Sequence, residues 1–246
     1  MKSDKGNALI VAIIIIGIIA VIVYVLYLIT TTYMKTFDIL FGNGWWYIAF
    51  WILGTILSNI NIPVYKLEYK GYQYVRIRDH LFPAHPFRFR QSGYIYINFG
   101  GFIMPLILTC YILSKFWTLF NPLMFIVATL IMILICKAFS RYMRGGSVVI
   151  NMFMIVFISY LLVQLLPNTI NPVDSNMIAG KLALGYCIAT LGSLIGGDLL
   201  NLHNMKHDPY WKGRSSIGGA GTYDGIWCAG LFVMFWIIAL NFLFGW

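Results

Sequence analysis

Charge is what this chain has least of. Only 10% of its 246 residues are charged, where a soluble domain carries about a quarter. Asp and Glu together number 8, while 60% of residues are hydrophobic. That composition excludes a soluble enzyme, a disordered tail and a DNA-binding module. Cysteine is also scarce. Cys110, Cys136, Cys187 and Cys228 fall in or beside apolar runs with no CxxC spacing, so neither a disulfide framework nor a zinc site is expected. They read as small buried hydrophobes. Histidine is equally thin. His203 and His207 stand one helical turn apart, but Asn204-Met205-Lys206 between them supplies no Glu of a metalloprotease motif. No metal and no cofactor are implied. Lys and Arg number 17. In so hydrophobic a chain that excess reflects membrane orientation rather than nucleic-acid binding.

Long apolar runs are abundant. A spanning helix needs about 20 apolar residues. Seven such runs cover roughly 8–34, 44–63, 97–114, 119–137, 147–166, 177–202 and 217–246. The expected fold class is an all-α integral membrane protein of about seven transmembrane helices, with 1–246 as a single polytopic domain in the lipid bilayer. Run 8–34 follows Lys2 and Lys5, as in a signal peptide. It is too long for an h-region, however, and Thr30-Thr31-Thr32-Tyr33-Met34 offers no cleavage site, so it reads as an uncleaved N-terminal anchor. Seven spans place every Lys and Arg except Lys35, Lys115 and Lys181 on one side. The positive-inside rule makes that side the cytoplasm of a cell (plasma) membrane, with the N-terminus inside and the C-terminus outside.

The loop 64–96 alternates apolar and polar residues in Tyr74-Val75-Arg76-Ile77-Arg78, Phe87-Arg88-Phe89-Arg90 and Tyr94-Ile95-Tyr96-Ile97. Period two predicts strands. The expectation is a small cytoplasmic-side β-element between the second and third helices, with Lys70-Gly71 as a hairpin turn. It reads as a membrane-surface cap or a docking surface. Pro105, shortly after Gly100-Gly101, predicts a break in the third span. Small residues recur at Gly185, Ala189, Ser193 and Gly197 in the sixth span, a ridge for close helix packing.

The acids then become informative. Asp4, Asp38, Glu68, Asp79, Asp174 and Asp208 fall in loops or tails, and only Asp198 and Asp224 fall inside apolar runs. An intramembrane carboxylate costs roughly 2.5–3.5 kcal/mol to insert, so it marks a functional site by default. Each stands 13 residues from Trp211, on opposite sides. In a helical hairpin over 177–246 they reach similar depth. Two such carboxylates can share a proton as an aspartyl-protease dyad, bind an ion, or bond to backbone. Gly196, Gly197, Gly219, Gly221, Thr222 and Tyr223 beside them are the candidate substrate- and backbone-binding residues. On a straight helix Asp198 points about 100° away from Gly197, so it meets the ridge's neighbour only if the double glycine breaks the helix. The readings are an intramembrane aspartyl protease acting on single-span membrane proteins, an ion- or proton-coupled transporter, and a non-catalytic subunit of a membrane complex.

Four stretches carry a resemblance. They are Asn61-Ile62-Pro63-Val64-Tyr65, Ile97-Asn98-Phe99-Gly100-Gly101 with Pro105, Ile195-Gly196-Gly197-Asp198-Leu199-Leu200-Asn201-Leu202, and Ser216-Ile217-Gly218-Gly219-Ala220-Gly221-Thr222-Tyr223-Asp224-Gly225-Ile226. They resemble the multi-pass membrane family called domain of unknown function 1614, found in archaea and bacteria. That resemblance implies a fold family and no activity. More weakly, Tyr223-Asp224 is similar to the Tyr-Asp pair of presenilin-type intramembrane aspartyl proteases, although here it lies on the later of the two helices.

Overall fold

A computed structural model describes residues 2–74, 86–143, 145–165, 177–206, 208, 211 and 213–244. Within lipid, only a helix satisfies its own backbone polar groups locally, and each apolar run carries one. Helix α1 (Lys2–Phe41) is followed by α2 (Trp45–Leu57), α3 (Met104–Phe116), α4 (Pro122–Phe139), α5 (Met152–Leu165), α6 (Met177–Gly192), a short α7 (Leu202–Lys206) and α8 (Gly225–Phe244). Among the described residues, five helical segments are long and apolar enough to cross a membrane: Ile13–Phe41, Phe99–Leu119, Pro122–Phe139, Met177–Asn204 and Gly225–Phe242. Trp45–Leu57 and Met152–Leu165 are shorter apolar helices. The protein is a multi-pass membrane protein.

The ends of these helices follow local chemistry. Gly42, at φ 75°, takes the left-handed conformation that stops α1, and its amide donates to the Asp38 carbonyl at 2.8 Å. The Asn43 side chain then accepts from the Trp45 amide. Asn121 caps α4 through the amides of Leu123 and Met124. Asn151, polar in an apolar run, caps α5 by accepting from the Met154 amide.

Helix α6 is the buried axis, its side chains covered almost throughout. It packs on α3, α4, α5 and α8. Helix α1 joins this core only through its last turns, where Tyr33, Phe37 and Leu40 are buried against α2 and α8. Trp227 of α8 stacks on Phe50 of α2 at 4.4 Å, and the bare backbone of Gly54 lets its ring lie flat.

Two small sheets close one end of the bundle. Strands β1 (Asn61–Tyr74) and β2 (Pro86–Asn98) pair antiparallel, and β5 (Arg214–Ile217) adds in parallel to β2, giving the order β1-β2-β5. Strands β3 (Ser140–Met143) and β4 (Ser147–Ile150) form a separate hairpin. Several expectations need adjusting. The second apolar run ends as a helix at Leu57, because Asn61-Ile62-Pro63-Val64 enters β1. Lys70-Gly71 is not a turn, since both residues sit inside β1 opposite Arg90 and Phe89. Of the alternating stretches, 87–90 and 94–97 lie in β2, whereas 75–78 falls outside the described residues. The run at 147–166 opens as β4 before becoming α5.

The break expected near Pro105 is a change of helix type. Phe99–Ile103 forms a π-helical turn that runs directly into α3, with Pro105 in the first turn of α3. Asn98 holds this junction. It is fully buried, its Oδ1 accepts from the Gly101 amide at 2.7 Å, and its Nδ2 donates to the Ser58 carbonyl at 2.6 Å. Replacing it by Ala strands a donor and an acceptor inside the protein. Asn98→Ala is expected to destabilise the fold by about 2–4 kcal/mol, at roughly 1–3 kcal/mol per buried unpaired group. The check is a lowered midpoint of thermal unfolding in detergent.

Candidate functional site

The two aspartates meet at the sheet end of the bundle. Helix α6 does not run straight to Asp198. At Ser193 it widens into a π-helical turn, Ser193–Asp198, and then tightens into a 3-10 turn, Leu199–Asn201. One extra residue in a turn rotates everything beyond it by roughly 100°. That offsets the 100° by which a straight helix would aim Asp198 away from the Gly197 ridge. The double glycine coincides with this change for a packing reason. A side chain on Gly196 would strike the Ile133 carbonyl of α4, and one on Gly197 would strike Ile150 of β4.

Asp224 arrives by a different route. The seventh apolar run is helical only from Gly225 onward. Before it, β5 leads into a turn at Gly218–Ala220 and a 3-10 turn, Gly221–Tyr223. Gly218 and Gly221 take φ of 71° and 64°, and the Gly221 amide donates to the Gly218 carbonyl at 2.9 Å. Asp224 is therefore the N-cap of α8, not a residue within it. Its Oδ1 accepts from the Ile226 amide at 3.1 Å, and its Oδ2 accepts from the Ala220 amide at 3.3 Å. The Gly218 amide lies close to Asp198. The segment over 177–246 is thus not a plain helical hairpin, because a strand and two tight turns stand between its helices.

Both carboxylates line one cavity of about 350 Å³, within the range of roughly 300–1,000 Å³ usual for ligand sites. Its walls are Gly145, Gly146, Ser147 and Val148 from the β3–β4 hairpin, and Arg214–Ile217 with Gly219 and Ala220 from β5 and its turn. Ile150 sits beneath it, against Gly197 and 3.3 Å from where a Cβ on Gly225 would stand. One side chain therefore separates the neighbours of the two aspartates.

The other residues expected at the site are placed as follows. Gly219 is exposed on the cavity wall. Gly196 and Gly197 are buried packing positions of the π turn. Gly221 is buried against Ser58, Thr222 is buried, and Tyr223 is 79% exposed, away from the cavity lining. Among the described residues, no group of three or more His, Cys, Asp or Glu stands ready for a metal. The four cysteines are free thiols.

Sequence reasoning did not find the two walls. Arg214 brings a cation to the rim, and the hairpin tip supplies backbone polar groups. A polar network fixes these walls together. Asp208, buried though it lies in a loop, accepts from the Gly145 amide at 2.7 Å and from the Tyr142 hydroxyl at 2.9 Å. Burial first, and this bond second, push the Tyr142 phenol above its ordinary value, so it stays a donor. Trp211 Nε1 donates to Ser215 Oγ at 2.8 Å, which in turn donates to the Gly146 carbonyl at 2.9 Å. Asp208→Ala removes the acceptor that holds the tip. The expected result is faster deuterium uptake across 140–150 with little change in α6, at a cost of about 1–3 kcal/mol in stability.

Two aspartates on one shared cavity are compatible with proton chemistry on a bound group. The family model described as protein of unknown function (DUF1614) matches residues 55–236, a span that holds all five strands and both aspartates. No curated protein and no solved structure matches the chain. The family match covers well over half of the sequence, and the chain belongs to the protein family of unknown function DUF1614.

Proposed function

We propose that this protein is an intramembrane aspartyl protease with Asp198 and Asp224 as its catalytic pair. The observation that carries the reading is that both carboxylates open onto one cavity at the end of the bundle, beside a sheet edge. Burial raises the Asp224 carboxyl above its ordinary value, and the two backbone amides it accepts pull it back toward the ionised form. It is the base that takes a proton from water. Asp198 carries the proton that polarises the scissile carbonyl. Water oxygen bonds to the carbonyl carbon. The tetrahedral intermediate then collapses, the C–N bond breaks, and the amine leaves with the proton held by Asp224.

The site faces the cytoplasm in this reading, because the basic loops cluster at that end. The substrate is a single-span membrane protein whose helix unwinds at the cavity. The test is reconstitution in liposomes with a single-span substrate and mass spectrometry of the new termini. Wild-type protein is expected to cut at one place, and Asp198→Asn/Asp224→Asn protein is expected not to cut. Flux of Na⁺ or protons that depends on both aspartates, with no cleavage, would replace this reading by ion- or proton-coupled transport. Co-purification with a fixed partner that the double variant leaves unchanged, again without cleavage, would replace it by a structural role.

A further inference from the structure

Strand β5 is an edge strand whose free side belongs to the cavity. The Gly213 carbonyl accepts from the Tyr94 amide at 2.9 Å, so Gly213 faces β2. Parallel pairing alternates. Ser215 and Ile217 therefore also face β2, while Arg214 and Ser216 turn their backbone groups outward; the Ser216 carbonyl already accepts from the Gly219 amide at 3.2 Å, which leaves the Ser216 amide and the backbone groups of Arg214 for pairing. All four residues line the cavity, and the hairpin residues Gly145–Val148 line it from elsewhere. Unpaired strand edges recruit extended peptides, with backbone bonds giving affinity and side-chain contacts giving selection.

Arg214 is the selecting group available there. It is exposed, its guanidinium lies 5.1 Å from the centre of the Tyr96 ring, and it has no carboxylate partner among the described residues. An aromatic face holds the planar cation without satisfying its charge. Gly218, whose amide lies close to Asp198, is four residues further along the chain. At about 3.3 Å per residue, that sets Arg214 roughly 13 Å from the Asp198 end of the strand.

We infer that Arg214 selects substrates carrying an acidic side chain three to five residues from the scissile bond, in a segment that adds as a strand to the free edge of β5. This rests on the protease reading for what happens at Asp198 and Asp224, but the selection itself is a binding event. An acid at that spacing meets the cation and keeps its own charge away from the two aspartates, where like charges repel.

The test separates binding from cleavage. Full-length Asp198→Asn/Asp224→Asn protein in nanodiscs is titrated with fluorescent single-span peptides in which one Glu, or one Gln, is scanned along the segment after the apolar stretch. The Glu peptide is expected to bind about tenfold more tightly than the Gln peptide over a window of about three positions. Arg214→Gln removes that preference, and Arg214→Glu transfers it to a Lys peptide. An ester in place of the peptide amide that pairs with β5 weakens binding as well. Equal affinity for Glu and Gln peptides, or a preference that survives Arg214→Gln, overturns the inference. Cleavage by wild-type protein without acidic preference sinks Arg214's role alone. Acid-selective binding with no cleavage by wild-type protein sinks the protease reading and leaves Arg214's role standing.

Discussion

Asp198→Asn is expected to abolish cleavage while the protein stays as stable as wild type. The substitution keeps the side chain's shape and removes its ionisable proton. An Asn at 198 still presents a carbonyl oxygen to the nearby Gly218 amide, so the turn is preserved. Positioned acid–base groups contribute roughly 10²–10⁴-fold to a rate, and a dyad whose members act together loses most of that when either is silenced. Cleavage should therefore fall by about 10³-fold or more. Asp224→Asn should lose as much activity but behave differently in stability. Its two oxygens serve the Ile226 and Ala220 amides, and an Asn has one acceptor for two donors. The cap on Ile226 survives, since Asn caps as well as Asp, and the Ala220 bond is lost for up to about 1 kcal/mol. Asp224→Ala loses both bonds and should unfold at a lower temperature than Asp224→Asn. Reaction of a maleimide dye with the buried thiols Cys136 and Cys187 on heating gives the unfolding midpoints. Mass spectrometry of the products gives the rates. Activity within tenfold of wild type in either Asn variant would remove the dyad.

Helix positions were legible because about 20 apolar residues in lipid have one local solution. The approach of α6 to its neighbours was legible in Gly185, Ala189, Ser193 and Gly197, all of them buried. The juxtaposition of Asp198 and Asp224 was half legible. Their rarity in apolar runs singled them out, but helical periodicity alone aimed Asp198 elsewhere. The π turn that re-aims it is set by the close approach of α4 at Gly196, a tertiary fact. Arg214 was not legible as a site residue. Arg214-Ser215-Ser216-Ile217 is too short to show a strand period, and its partner in β2 lies about 120 residues earlier. Asp208 falls in a loop by sequence, and its burial leaves no local trace for the same reason, since its partners Tyr142 and Gly145 are more than 60 residues away. Local patterning fixes helices here, whereas the cavity is assembled by long-range pairings that leave little periodic trace.

Gly101→Ala and Gly218→Ala are expected to damage the fold strongly, and both act through one backbone crossing. The π turn before α3 passes directly over the turn after β5. A Cβ on Gly101 would strike the Gly218 carbonyl oxygen and stand 2.9 Å from the Gly221 carbonyl oxygen. A Cβ on Gly218 would stand 2.6 Å from the Gly101 carbonyl carbon and 2.7 Å from the Phe102 nitrogen. These neighbours are backbone atoms, which cannot swing aside as a side-chain tip can. Gly218 also holds φ at 71°, where an Ala pays roughly 1–2 kcal/mol on conformation alone. Overpacking adds about 1–3 kcal/mol, so Gly218→Ala should lose about 2–5 kcal/mol and Gly101→Ala somewhat less. Together they should cost less than their sum, because the first methyl already parts the two turns. Gly17→Ala is the control. It has nothing within 4 Å and should leave the unfolding midpoint unchanged or raise it slightly. The crossing also reaches the site. Parting the turns withdraws the Gly218 amide from Asp198, so whatever fraction of either variant folds should cleave far more slowly than wild type. If Gly218→Ala unfolds at the wild-type temperature, the two turns are not in contact, and the proposed support for Asp198 goes with them.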